Sequence, residues 1–178
     1  EAEAEALAAA KSDELFVQGG APAKAMLVRQ VKMLAKKYDV VVANPPYMGS
    51  KGMCGELKTF AKNEYSDSKS DLFAMFIERG FDLAEDSIGY NAMVTMQSWM
   101  CLSSYENMRQ KLLNERTTHG LLHMTNGVMG IAFGTSATVW RQTHLGEYEG
   151  RYSYCTMDDI GDDGIPSEFP VQNERFTT

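Results

Sequence analysis

The chain has 178 residues, 44% of them hydrophobic and 23% charged, with a net charge of −7. That composition supports one domain with a real core and does not read as a disordered chain, while the negative balance is the wrong sign for a protein that grips phosphates over a wide face by itself. Cys54, Cys101 and Cys155 form no CxxC pair and point to neither a disulfide framework nor a zinc site, which fits a reducing, cytoplasmic setting. No apolar run of about eighteen residues and no export pattern is present, so no membrane association is expected. Twelve methionines read as adaptable core filler.

Residues 1–11 are nearly all strong helix formers and predict a helix. After the Gly19-Gly20-Ala21-Pro22 break, Ala23 to Lys37 places Met26, Leu27, Val31, Leu34 and Ala35 at helical spacing, with Lys24, Arg29, Lys32, Lys36 and Lys37 opposite, as for an amphipathic helix on a sheet. Val40-Val41-Val42 is a β-branched run that predicts a buried strand, and it stops at Asn44-Pro45-Pro46-Tyr47. Met48 to Lys69 is polar and reads as a long loop, whose Lys51, Lys58, Lys62 and Lys69 either meet an anionic partner or are simply solvated.

Asp71 to Ala84 predicts a helix capped by Ser70 or Asp71, followed by a strand over Ile88 to Met96. Ser103 or Ser104 is expected to cap a further helix to Leu113. Leu121 to Met124 and Thr135 to Arg141 are strand candidates on either side of a glycine-punctuated turn, Asn126 to Gly134. Beyond Glu147 the composition turns polar and acidic, so the expected division is 1–147 as one partial domain and 148–178 as an irregular tail or the entry to a further domain.

The strand end at Asn44 is the candidate site. Neither proline donates a backbone hydrogen bond and each restrains its predecessor, so the loop is stiff and cannot turn into a helix. Ligands of open α/β sheets bind at such carboxyl ends. The exocyclic amine of adenine is a poor nucleophile because its lone pair is delocalised into the ring. Two acceptors, the Asn44 side-chain oxygen and the Pro45 carbonyl, can take its hydrogens and free that lone pair, and Tyr47 can stack on the base. A base in duplex DNA must be flipped out to reach such a pocket. His119 and His123, four apart, sit at a strand entry without a nearby carboxylate, so no metal is expected.

Asn-Pro-Pro-Tyr after a hydrophobic strand resembles the motif of amino-group methyltransferases, chiefly the adenine-N6 DNA methylases. Three blocks, Ala43-Asn-Pro-Pro-Tyr-Met-Gly-Ser-Lys-Gly-Met53, Ser66 to Gly80 and Met93 to Met100, together resemble the PglX-type methylases of BREX phage-defence systems. The resemblance runs from about Ala35 onwards. It implies a Rossmann-like class I fold, mostly parallel with helices on both faces, of which this chain carries the second half. It also implies S-adenosylmethionine as methyl donor, double-stranded DNA as substrate and other phage-defence subunits as partners. Asn44, Pro45, Pro46 and Tyr47 become catalytic, and Phe133 the aromatic on the base's other side, against the plainer alternative of a core phenylalanine. Asn44, Ser70, Asp71, Leu72 and Phe73 become donor-lining, although Ser70 to Phe73 equally suits a helix cap followed by core residues. The main donor-binding element is missing, since no GxGxxG-like turn opens a helix in this chain. RNA or protein-glutamine methylation with the same chemistry, and an inactive scaffold, are the competing readings.

Overall fold

In the computed structural model residues 21–163 are described. The helix expected over 1–11 and the run towards Pro166 and Pro170 lie outside them. Two units divide between Lys37 and Tyr38. The first contributes α1 (Ala21–Ala35), with Pro22 in its first turn, where a fixed φ and a missing N–H cost nothing. Met26, Met33 and Leu34 on this helix are exposed.

The second unit is built on five strands, β1 (Val40–Ala43), β2 (Tyr90–Met96), β3 (Thr117–Met124), β4 (Thr135–Arg141) and β5 (Arg151–Cys155), in the order β1-β2-β4-β3-β5. β1 and β2 are parallel, as are β3 and β5, whereas β4 runs antiparallel to both of its neighbours. The sheet is therefore mixed. A parallel arrangement needs a crossover before every strand, and the short turn from β3 to β4 forces an antiparallel pair instead. β5 corrects the irregular tail expected beyond Glu147: its composition is polar, but Ser153 and Cys155 are buried once it pairs with β3.

Three helices lie between the strands: α2 (Gly55–Glu64), α3 (Leu72–Leu83) and α4 (Glu106–Glu115). α2 corrects the expected loop over Met48 to Lys69. Ala61, with Leu57 one turn before it and Tyr65 just after the helix, packs with Met53 and Met75, a short inward stripe that the surrounding Lys, Asn and Thr obscure in the sequence. α4 starts later than expected: Ser103–Tyr105 forms a 3₁₀ turn, and no serine side chain caps the helix.

Alternation along the strands sorts residues onto two faces. Met93, Asn91, Ser136, Thr138 and Trp140 are buried on the face that meets α3 and α4 through Phe73, Ile77, Phe81, Met108 and Leu112. α3 approaches β2 closely at Gly80, where a Cβ would lie 2.5 Å from Asn91 Oδ1, and Asn91 Nδ2 donates to the Ile77 carbonyl at 3.0 Å. The other face carries Val42, Ala92, Val94, Ala137, Val139 and Leu122, which line an apolar groove of about 410 Å³. Among the described residues of this unit the helices thus cover one face, where helices on both were expected.

Candidate active site

β1 delivers Asn44 to the carboxyl end of the sheet with its side chain exposed, while Pro45 is buried and Pro46 exposed. Tyr47 folds back over the strand ends. Its hydroxyl lies 3.3 Å from both the Val94 carbonyl and Asn44 Oδ1 and donates to these acceptors. Its ring meets Phe73 edge-on at 6.1 Å and Phe133 edge-on at 5.6 Å. Burial pushes the phenol above its ordinary range, so Tyr47 is neutral.

The segment after Tyr47 is fastened to the start of α3. Met48 N donates to Asp71 Oδ1 at 2.9 Å, Leu72 N to the Met48 carbonyl at 3.0 Å, and Ser50 N to the Ser70 carbonyl at 3.0 Å. Asp71 is also the N-cap of α3, accepting from Phe73 N at 3.2 Å. One carboxylate therefore starts the helix and ties the loop. Phe73 is wholly buried between Tyr47 and Tyr105, and burial, then the Asp71 charge, pushes the Tyr105 phenol up to about 12.

Of the four residues at 70–73 read as donor-lining, Asp71 and Phe73 are accordingly engaged inside the protein, and Ser70 and Leu72 are half-buried. Lys51 lies in a 3₁₀ turn and Lys58 and Lys62 lie one turn apart on α2, all three exposed. His119 and His123 share no site. His119 stacks on Tyr148 at 5.2 Å with the Tyr148 hydroxyl 2.5 Å from its Nδ1, whereas His123 Nε2 lies 2.5 Å from Gln97 Oε1. Four residues along a strand separate them by roughly 13 Å.

The structure brings Phe133 to Tyr47 from 86 residues away in sequence, counting from 47 to 133. Their rings are in contact, and a flat ring sandwiched between two others needs roughly 7 Å, two stacking steps of about 3.4 Å each. Admitting a base between them thus requires one aromatic to turn aside. Gln97, which lies inside the Met93 to Met100 block but is not marked there by composition, and His123, weighed in the sequence only as a metal ligand, meet beside this pair.

The Eco57I restriction-modification methylase family matches residues 5–129, well over half of the chain. The chain belongs to that family. Adenine-specific methyltransferase BrxX of Escherichia coli O9:H4 (strain HS) is 49% identical over 126 residues, 68% of this chain and 10% of that protein. Adenine-specific methyltransferase PglX of Lacticaseibacillus casei (strain Zhang) is 44% identical over 86 residues, 48% of this chain and 7% of that protein. A Listeria monocytogenes protein assigned to the class I S-adenosylmethionine-dependent methyltransferases superposes with a TM-score of 0.52 at 14% identity, over 67% of this chain and 37% of its own. The fold is that of the class I methyltransferases, and the resemblance carried by the Asn-Pro-Pro-Tyr blocks holds. The chain spans about a tenth or less of the length of these two adenine-specific relatives.

Proposed function

We propose that this chain is the catalytic-loop portion of an adenine-N6 DNA methyltransferase of the BREX phage-defence kind. One observation carries the reading: an exposed Asn44 amide at a strand's carboxyl end, with the half-buried Tyr47 hydroxyl on its oxygen and Phe133 across from the Tyr47 ring. A flat base with an exocyclic amine fits that set.

S-adenosylmethionine supplies the methyl group when bound. From this chain Asn44, Ser70 and Leu72 would face it, while Asp71 and Phe73 hold the loop that does so. The Asn44 side-chain oxygen and the Pro45 carbonyl accept the two amine hydrogens and hold the nitrogen lone pair free for attack. Stiff proline backbone keeps these acceptors in place at no cost during the reaction. Tyr47 presents its ring face to the flipped base, anchored from behind by Phe73 and through its hydroxyl by the Val94 carbonyl. Exposed Lys51, Lys58 and Lys62 offer positive charge to the DNA backbone on an otherwise acidic chain.

The test is Asn44→Ala in a complete enzyme carrying this chain, assayed for methyl transfer to adenine and for DNA binding. We expect transfer to fall by at least about 100-fold, as when one transition-state partner is removed, with binding nearly unchanged. Near-normal transfer, or methylation of RNA or glutamine in place of adenine, overturns the reading.

A further inference from the structure

We infer that Gln97 and His123 are positioning residues that pin the backbone at Gly134, so that Phe133 opens the slot beside Tyr47 by turning its side chain on a fixed loop. Gln97 follows directly on β2. Its backbone N–H donates to the Gly134 carbonyl at 3.0 Å, and its side-chain amide lies against the Gly134 Cα, where a Cβ would come within 2.2 Å of Oε1 and 2.4 Å of Cδ. With glycine at 134 the amide keeps this place, and a Cβ there would push it aside.

The amide is held from its other side. His123 Nε2 donates to Gln97 Oε1 at 2.5 Å, and the His123 ring rests on Tyr154 at 4.9 Å. A line of contacts therefore crosses the carboxyl end of the sheet, from Tyr154 on β5 through His123 on β3 and Gln97 after β2 to Gly134, one residue from Phe133. Its end meets Tyr47 at 5.6 Å. Gln97 and His123 are half-buried polar groups, costly to place there unless they bond to each other, and an apolar pair would have filled the space without fixing a distance. The function of this arrangement rests on the base-binding reading above, but the pinning itself does not.

Two measurements separate them. Hydrogen exchange on the chain itself should speed up across residues 126–134 in Gln97→Ala and His123→Ala, and stay at the parent's rate in Thr95→Val, which removes a neighbouring buried hydroxyl contact with Ser136 that does not touch Gly134. Gly134→Ala should match Gln97→Ala, since the new methyl takes the amide's place; it serves equally if Gln97→Ala does not fold. In a complete enzyme, the same variants should lower kcat/KM on DNA by about tenfold and reduce the fluorescence of 2-aminopurine at the target, the size of one lost stacking contact. Gln97→Glu, which still accepts from His123, should restore most of both. Unchanged exchange in Gln97→Ala and Gly134→Ala overturns the inference. Faster exchange in an enzyme that never methylates adenine upholds the pinning and removes the base-binding reading instead.

Discussion

The two faces of this sheet are made by alternate residues of the same strands and meet opposite fates. On one, Met93 and Trp140 are covered by Phe73, Ile77 and Leu112 within the chain, and Phe73 and Trp140 are wholly buried. On the other, Ala92, Val94, Ala137 and Val139 line an open groove, and Val42 at the β1 edge is 74% exposed. Large side chains mark the face that this chain closes by itself. Smaller side chains line the open part of the other face, whose carboxyl end is covered by Val128 and Ile160 packed with Met124, Leu122 and Ala137. The candidate site sits where the two faces meet, at the strand ends, with Tyr47 anchored into the closed face.

The sharpest way to break this contrast is to empty a position on the closed face. Phe73→Ala should cost about 3–5 kcal/mol, as large buried truncations do, and should loosen Tyr47 with it. Denaturant unfolding of the purified chain reads this directly, and a loss under about 1 kcal/mol would show that the face is not the core. Asp71→Ala comes next, at about 1–3 kcal/mol, because it removes a helix cap and leaves the Met48 N–H without its partner. Asp71→Asn, which keeps an acceptor, should recover much of that.

Substitutions on the open face should move stability far less. Val139→Ala is expected to cost under about 1 kcal/mol, within the range of surface changes. The effect there should fall on association instead: an uncovered strand edge and apolar face invite other chains, and Val42→Lys should shift the chain towards monomer in light scattering. A parent chain that is already monomeric would break the comparison. The smallest expected effect is on pH. Burial holds the His123 imidazole below its ordinary 6.5, so the folded chain binds fewer protons than the unfolded one just below that value and loses stability as pH falls from about 6.5 towards the lowered value. The difference in unfolding free energy between parent and His123→Gln should change over that window and be flat above it.

Much of the site is legible in the sequence, since its chemistry is local. Asn44 to Tyr47 carry their own stiffness in two prolines, β1 is announced by three valines, and Asp71 by its place before an apolar helical stripe. Covalent restraint and short-range periodicity act within a few residues, so any copy of those residues displays them. Pairing and contact do not work that way. β5 looks irregular in the sequence because a polar strand is stabilised by the backbone partners that β3 offers and not by its own composition. α2 is hidden because only an inward stripe around Leu57, Ala61 and Tyr65 is apolar, and its value depends on Met53 and Met75 being there to meet it. Asp71 and Phe73 match a donor-lining motif, but folding sets the Asp71 carboxylate on Met48 N and buries Phe73 under Tyr47. Gln97 and His123 reach Gly134 across three strands, a distance that no spacing along the chain encodes. The sequence determined the family, the stiff Asn44 to Tyr47 loop and the helix that begins at Leu72, whereas the tertiary structure decided which side chains hold that loop, because a residue's partner is chosen by the neighbours that packing brings to it.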